Sequence, residues 1–147
     1  MIITKTPFRM SFFGGGTDTI TIYGVEKLYG CVYTVIPDRI VAATYMSAVC
    51  AAGGDVLLEN IDSRHLTPIL PVFEQAGCAL CVSESSLRIA SRGRPKMLRS
   101  VRTMPYPGFP TDMQPQITVT LGLSKGTSIV TESIFENRFK YVDELAK

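Results

Sequence analysis

Two stretches of this chain have the same character. Gly54-Asp55-Val56-Leu57-Leu58-Glu59-Asn60 and Gly126-Thr127-Ser128-Ile129-Val130-Thr131-Glu132 each follow an amphipathic helical pattern and each precede another. A pattern that returns predicts a repeated supersecondary unit, because one such unit cannot bury its apolar face until a neighbour stacks on it. Here the unit is βαβαββ. The first round is complete, and the second stops after its second helix. This constrains the fold more than size does, since 147 residues are simply one ordinary domain's worth of chain.

Strands are expected at 2–4, 19–23 and 31–36. A helix opens at Pro37-Asp38-Arg39, with Val41, Tyr45, Met46, Val49 and Cys50 as its apolar stripe and Gly53-Gly54 as its stop. A strand follows over 55–61. Ser63 is placed to cap a helix whose apolar face is Leu66, Ile69, Leu70 and Phe73, ending before Gly77. Pro68 and Pro71 conflict with that helix, because an interior proline costs about 3 kcal/mol; a kink or a start later than Ser63 is expected. A hairpin over 79–83 and 87–90 closes the round. The second round has a strand over 100–104 and a loop over 105–110. Thr111 and Gln114 have the spacing of a capping box, which starts a helix at Asp112 carrying Met113, Ile117 and Leu121 and ending at Gly126. A strand over 127–134 and a last helix capped by Asn137, with Phe139, Val142 and Leu145, complete it.

Several classes are excluded. With 46% hydrophobic residues and a net charge of +2, the chain is not disordered. No apolar run approaches the roughly 18 residues of a membrane span, and no secretory signal is present, so a cytoplasmic protein is expected. Residues 85–111 contain no acid but hold Arg88, Arg92, Arg94, Lys96, Arg99 and Arg102. No aromatic residue is interleaved among these cations, so no nucleic-acid partner is expected; a solvated hairpin or a rim meeting an anionic small molecule remains. Cys78-Ala79-Leu80-Cys81 is a lone CxxC with His65 as the only histidine, too little for zinc, and no metal or cofactor is implied.

Two charged residues stand out. Asp112 lies in Tyr106-Pro107-Gly108-Phe109-Pro110-Thr111-Asp112-Met113-Gln114, where prolines and a glycine bring a carboxylate to a helix N-terminus. It is either a base for a substrate hydroxyl or a common first-turn acid. Arg138, in Phe135-Glu136-Asn137-Arg138-Phe139, follows a strand and either clamps a phosphate or carboxylate or pairs with a neighbour such as Glu136.

From about residue 22 to 147 the chain resembles the UDP-N-acetylglucosamine 1-carboxyvinyltransferases, the enolpyruvyl transferases of peptidoglycan synthesis. The resemblance is carried by Gly24-Val25-Glu26-Lys27-Leu28, Thr34-Val35-Ile36-Pro37-Asp38-Arg39-Ile40, Arg94-Pro95-Lys96, Pro107-Gly108-Phe109-Pro110-Thr111-Asp112-Met113-Gln114 and Thr131-Glu132-Ser133-Ile134-Phe135-Glu136-Asn137-Arg138-Phe139. It implies an α+β fold of repeated βαβαββ units, the inside-out α/β barrel of that family, with one unit complete and one partial. It implies transfer of enolpyruvyl from phosphoenolpyruvate to UDP-N-acetylglucosamine. Asp112 then corresponds to the base on the sugar 3′-hydroxyl, Ile134 to a nucleotide-sugar contact and Arg138 to an arginine of the cleft. The family's general-acid cysteine loop has no counterpart around Cys31, Cys50, Cys78 or Cys81, so a fragment without turnover of its own is implied.

The first 18 residues are different. Thr6-Pro7-Phe8-Arg9-Met10-Ser11-Phe12-Phe13-Gly14-Gly15-Gly16-Thr17-Asp18 resembles the start of heptose 7-phosphate kinases of the GHMP superfamily, with Arg9 and Asp18 near the sugar. The superfamily's phosphate loop does not follow. The expected organisation is a sugar-kinase-like segment over 1–18 and a partial enolpyruvyl transferase domain over 19–147. The alternatives are a non-catalytic assembly module that self-associates to complete its fold, and a sugar kinase fragment.

Overall fold

The computed structural model describes residues 11–12, 15–16, 26–27, 29–30 and 32–147. The strands expected at 2–4 and 19–23, the kinase-like Arg9 and Asp18, and Cys31 lie outside the described residues. Ser11–Phe12 (β1) pairs antiparallel with Gly15–Gly16 (β2).

The first long element is α1, Arg39–Ala52. Asp38 starts it as expected: its carboxylate accepts from the backbone N–H of Ile40 at 2.7 Å and of Val41 at 3.4 Å. Gly53, at φ +79°, stops it and donates its N–H to the Val49 carbonyl. The face that turns inward differs from the expected stripe. Ala42, Ala43, Met46, Ser47, Val49 and Cys50 are buried, while Val41 and Tyr45 are exposed. The strand expected over 31–36 does not form: 32–36 is irregular, with Val32, Tyr33, Val35 and Ile36 all exposed. A β-prone sequence needs a strand partner for its backbone N–H and C=O groups, and no described residue pairs with it.

Gly54–Glu59 (β3), Ala79–Val82 (β4) and Ser86–Ser91 (β5) form one antiparallel sheet in the order β3-β5-β4. Central β5 alternates, with Leu87, Ile89 and Ser91 buried and Arg88 exposed. The expected hairpin of β4 and β5 is present. Between β3 and β4 the chain resolves its proline conflict by starting late. Ser63–Leu66 is only a 3₁₀ turn (η1), and Asp62 rather than Ser63 caps it. Helix α2 begins at Leu70, which puts Pro71 in the first turn, where its missing N–H has no helical partner to lose. Leu66, Ile69 and Phe73 are fully buried.

The second half is built around a parallel pair. Val101–Arg102 (β6) runs alongside Val130–Thr131 (β7), with Val101 opposite Val130. Parallel neighbours need a crossover. It is supplied by a 3₁₀ turn, Thr111–Met113 (η2), and helix α3, Gln114–Gly122. Met113, Ile117 and Leu121 are buried as expected. Three expectations fail here. The capping box is absent, because the Thr111 hydroxyl donates to Glu132 instead of capping α3. The helix ends at Gly122, not Gly126. Asn137 sits at φ +58° and caps nothing; the last helix is the short α4, Val142–Leu145, entered from Tyr141. The two stretches that overlay in sequence also make unequal strands. Gly54–Glu59 is a six-residue antiparallel strand, whereas only Val130–Thr131 of the second stretch is a strand, and it pairs in parallel.

One core serves both halves. α1 packs against β5 and β3 on one side and against α3 and η2 on the other. Its buried residues form a single cluster with Leu66, Phe73, Leu87, Ile89, Met113, Ile117 and Leu121. No helix among the described residues is long and apolar enough to cross a membrane. Because Asp38 supplies two of the first N–H partners of this central helix, Asp38→Ala is expected to lower stability by about 1 kcal/mol. Urea unfolding followed by circular dichroism measures it, and an unchanged midpoint would refute the capping role.

Candidate functional site

The loop after β6 carries the site's first half. It is tight: Gly108 donates its N–H to the Pro105 carbonyl at 2.7 Å, and Met104 donates to the Phe109 carbonyl at 2.9 Å. A Cβ at Gly108 would collide with that of Met104, so this loop requires glycine there. Phe109 is buried and anchors the loop. Immediately after it, η2 presents Thr111 and Asp112, both half-buried.

The second half follows β7. Glu132, Ser133, Ile134 and Phe135 turn outward, and the positive φ of Asn137 redirects the chain before Arg138. Asparagine tolerates that left-handed conformation better than most residues. Arg138 then meets Asp112, 26 residues away in sequence. Its Nη2 lies 3.1 Å and its Nη1 3.3 Å from one Asp112 oxygen. Nη1 also donates to the Thr111 hydroxyl at 3.1 Å and reaches the Thr111 carbonyl at 3.4 Å. The guanidinium carbon stands 5.2 Å from the centre of the Phe135 ring, within cation–π range. Both partners keep part of their surface open to solvent, 31% for the Arg138 side chain and 37% for Asp112.

The structure brings Asp112 and Arg138 together: Asp112 is a first-turn acid of η2, and Arg138 pairs with it rather than with Glu136. Ile134 is half-buried, and its backbone N–H donates to Glu132 at 2.8 Å.

Glu132 was not singled out by sequence reasoning, yet it ties the two halves together. One of its oxygens accepts from the Thr103 hydroxyl at 2.9 Å, from the Ile134 N–H at 2.8 Å and from the Phe135 N–H at 3.2 Å. The other accepts from the Thr111 hydroxyl at 2.7 Å. Ser133 returns to Thr103 twice, its N–H donating to the Thr103 hydroxyl at 3.0 Å and its own hydroxyl donating to the Thr103 carbonyl. Burial pushes the Glu132 carboxyl upward, but the hydrogen bonds from Thr111, Ile134, Thr103 and Phe135 outweigh it and hold the group below the usual carboxylate range. The sequence signal was faint: a glutamate after a β-branched strand, within reach of two threonines known only after folding.

The other candidates do not join this site. Arg88 is on the exposed face of the sheet, held by Asp55 through two bonds of 2.8 Å. Arg94 donates to the Leu123 carbonyl at 3.0 Å. The basic run is thus spread over the hairpin and its exit. The two cysteines of the CxxC part company: Cys78 is buried and Cys81 is exposed on β4. Cys50 is buried, and the Cys78 thiol beside it together with burial hold its thiol above its ordinary range. Among the described residues, no three His, Cys, Asp or Glu side chains gather as a metal site.

The comparisons with known proteins agree among themselves. The sequence model of the EPSP synthase (3-phosphoshikimate 1-carboxyvinyltransferase) family matches residues 11–147. UDP-N-acetylglucosamine 1-carboxyvinyltransferase 2 of Caldanaerobacter subterraneus subsp. tengcongensis is 47% identical over 134 residues, 91% of this chain and 32% of that protein. UDP-N-acetylglucosamine 1-carboxyvinyltransferase of Desulfofundulus thermocisternus is 50% identical over 135 residues, 91% of this chain and 55% of that protein. The chain thus spans between a third and just over half of these relatives. The crystal structure of the enolpyruvyl transferase NikO from Streptomyces tendae superimposes with a TM-score of 0.66 at 21% identity, over 78% of this chain and 27% of that one. At that identity the likeness is one of fold.

Glu132 gives the site a pH signature. Its folded pKa lies below the ordinary 4.5. The stability it contributes is therefore complete above that value and is lost as pH falls through the lower folded value. Glu132→Gln is expected to flatten the acid limb of the stability profile below about pH 5. Thermal unfolding across that range measures it, and parallel profiles for both proteins would rule the interaction out.

Proposed function

This chain belongs to the EPSP synthase family, and on that footing we propose that it carries the nucleotide-sugar side of an enolpyruvyl transferase site. The reaction of the UDP-N-acetylglucosamine 1-carboxyvinyltransferases it resembles moves the enolpyruvyl group of phosphoenolpyruvate to UDP-N-acetylglucosamine with release of phosphate. In this reading Asp112 takes the proton of the sugar 3′-hydroxyl, Arg138 holds Asp112 and meets substrate anions, and Ile134 packs on the nucleotide sugar. One observation supports this above the others: the two family motifs, Pro107 to Gln114 and Thr131 to Phe139, fold so that Asp112 and Arg138 stand 3.1 Å apart on an open rim. In the same reading residues 1–18 are a sugar-kinase-like segment and 19–147 part of a domain of the enolpyruvyl transferase type.

A binding half without turnover is the expected behaviour. The loop with the family's general-acid cysteine has no counterpart in this sequence. Isothermal titration should show binding of UDP-N-acetylglucosamine, weakened roughly tenfold or more by Arg138→Ala, the scale of one hydrogen bond to a charged group. Absence of binding by the unaltered chain would overturn this reading. The same chain is expected to release no phosphate from phosphoenolpyruvate and UDP-N-acetylglucosamine, and a release that Asp112→Asn abolishes would show a complete enzyme.

A second reading has its own support. The exposed apolar run Val32, Tyr33, Val35 and Ile36, together with exposed Tyr29, is unusual for a solvated surface. An assembly module that completes its fold with a second copy would cover it. Light scattering after size exclusion distinguishes the two: a monomer across the concentration range removes the assembly reading.

A further inference from the structure

The segments that carry Asp112 and Ile134 meet the end of β6 at one carboxylate, Glu132. Glu132 holds the end of β6 through Thr103, the entry to α3 through Thr111, and the turn after β7 through the N–H groups of Ile134 and Phe135. Three of these donors reach one Glu132 oxygen, and the fourth, the Thr111 hydroxyl, reaches the other. The acid that Arg138 pairs with is Asp112.

Thr111 makes the link directional. A hydroxyl has one proton and two lone pairs. Because Glu132 can only accept, the Thr111 proton points to it at 2.7 Å, and the lone pairs are left for Arg138 Nη1 at 3.1 Å. The order is Glu132, Thr111, Arg138, Asp112. Without the glutamate, the hydroxyl can turn its proton to water, and the fixed direction of the lone pairs that accept from Arg138 is lost. Thr103, the other hydroxyl on Glu132, is fully buried, so this end of the chain of bonds is fixed by packing.

We propose that Glu132 is the positioning residue of this site, setting the direction of Arg138 toward Asp112 through the Thr111 hydroxyl. The proposal rests on the nucleotide-sugar reading above and assigns Glu132 no contact with substrate.

The test uses the full chain in four forms: unaltered, Glu132→Gln, Thr111→Val and Thr111→Ser. The first readout is free of ligand. The Arg138 side-chain N–H resonances, assigned by their loss in Arg138→Ala, should exchange slowly in the unaltered chain and in Thr111→Ser. They should exchange rapidly in Glu132→Gln and Thr111→Val. The second readout is affinity for UDP-N-acetylglucosamine, expected to fall about tenfold or more in Glu132→Gln and Thr111→Val and to stay within about twofold in Thr111→Ser. Arg138 donates to the Thr111 hydroxyl directly, so Thr111→Val reports that bond, and matching rapid exchange in Glu132→Gln and Thr111→Val shows that the glutamate acts through the hydroxyl. Unchanged Arg138 exchange in either variant overturns the proposal, as does unchanged affinity alongside altered exchange. If the unaltered chain binds no nucleotide sugar, the functional reading fails and the Arg138 resonances alone decide whether Glu132 positions it.

Discussion

The inward face of α1 is where the sheet, α2 and α3 all meet, and its side chains set how closely they can do so. Ala42 and Ala43 are small, which allows neighbouring backbones to approach, while Met46, Val49 and Cys50 fill the space along the helix. Each large apolar side chain fully buried here contributes roughly 1.5–3 kcal/mol. The same packing reaches the site without touching it. α3 lies against α1 and is tied to it by a hydrogen bond from Gln116 to Thr44 at 3.2 Å. Asp112 sits in the 3₁₀ turn that runs directly into α3, so the place of that helix on α1 is also the place of the carboxylate.

Local chemistry was legible where it had no distant competitor. Asp38 before a helical run and Gly53 after it set the ends of α1, and both act through backbone groups within four residues. Pro71 pointed to a late helix start, because a proline's missing N–H is tolerated in only one part of a helix. The stripe of α1 was half misread because periodicity weighs Val41 and Tyr45 above Ala42, Ala43 and Ser47. Close packing selects the small residues instead.

Thr111 shows how a distant partner overrides a local rule. Thr-x-x-Gln is a sound capping pattern, but a charge-assisted bond to a carboxylate is about twice as strong as a neutral one. Once β7 lies beside β6, Glu132 comes within 2.7 Å of the Thr111 hydroxyl and takes it. Gln114, the other half of the pattern, is fully buried, and its amide finds no partner among the described residues. Asp112 and Arg138 were visible as candidates through their motifs, but not as a pair. Glu136 is far closer to Arg138 in sequence, and only the parallel β6–β7 pairing and the left-handed turn at Asn137 make Asp112 the partner.

The site runs from buried to open, and that order matters for what it can do. Thr103 is fully enclosed, Glu132 and Thr111 are half-buried, and Asp112 and Arg138 are about a third exposed. Hydrogen bonds at the enclosed end have no water to compete with them and hold one geometry. The ion pair at the open end is screened by solvent, so an anion or hydroxyl from solution can exchange with it at modest cost. An arginine held only by surface charges would have no fixed direction, and one sealed in the core could not meet a ligand. Anchoring the exposed pair to a half-buried carboxylate through a single hydroxyl meets both requirements. It explains why a glutamate that contacts no candidate side chain is the most heavily hydrogen-bonded acid among the described residues.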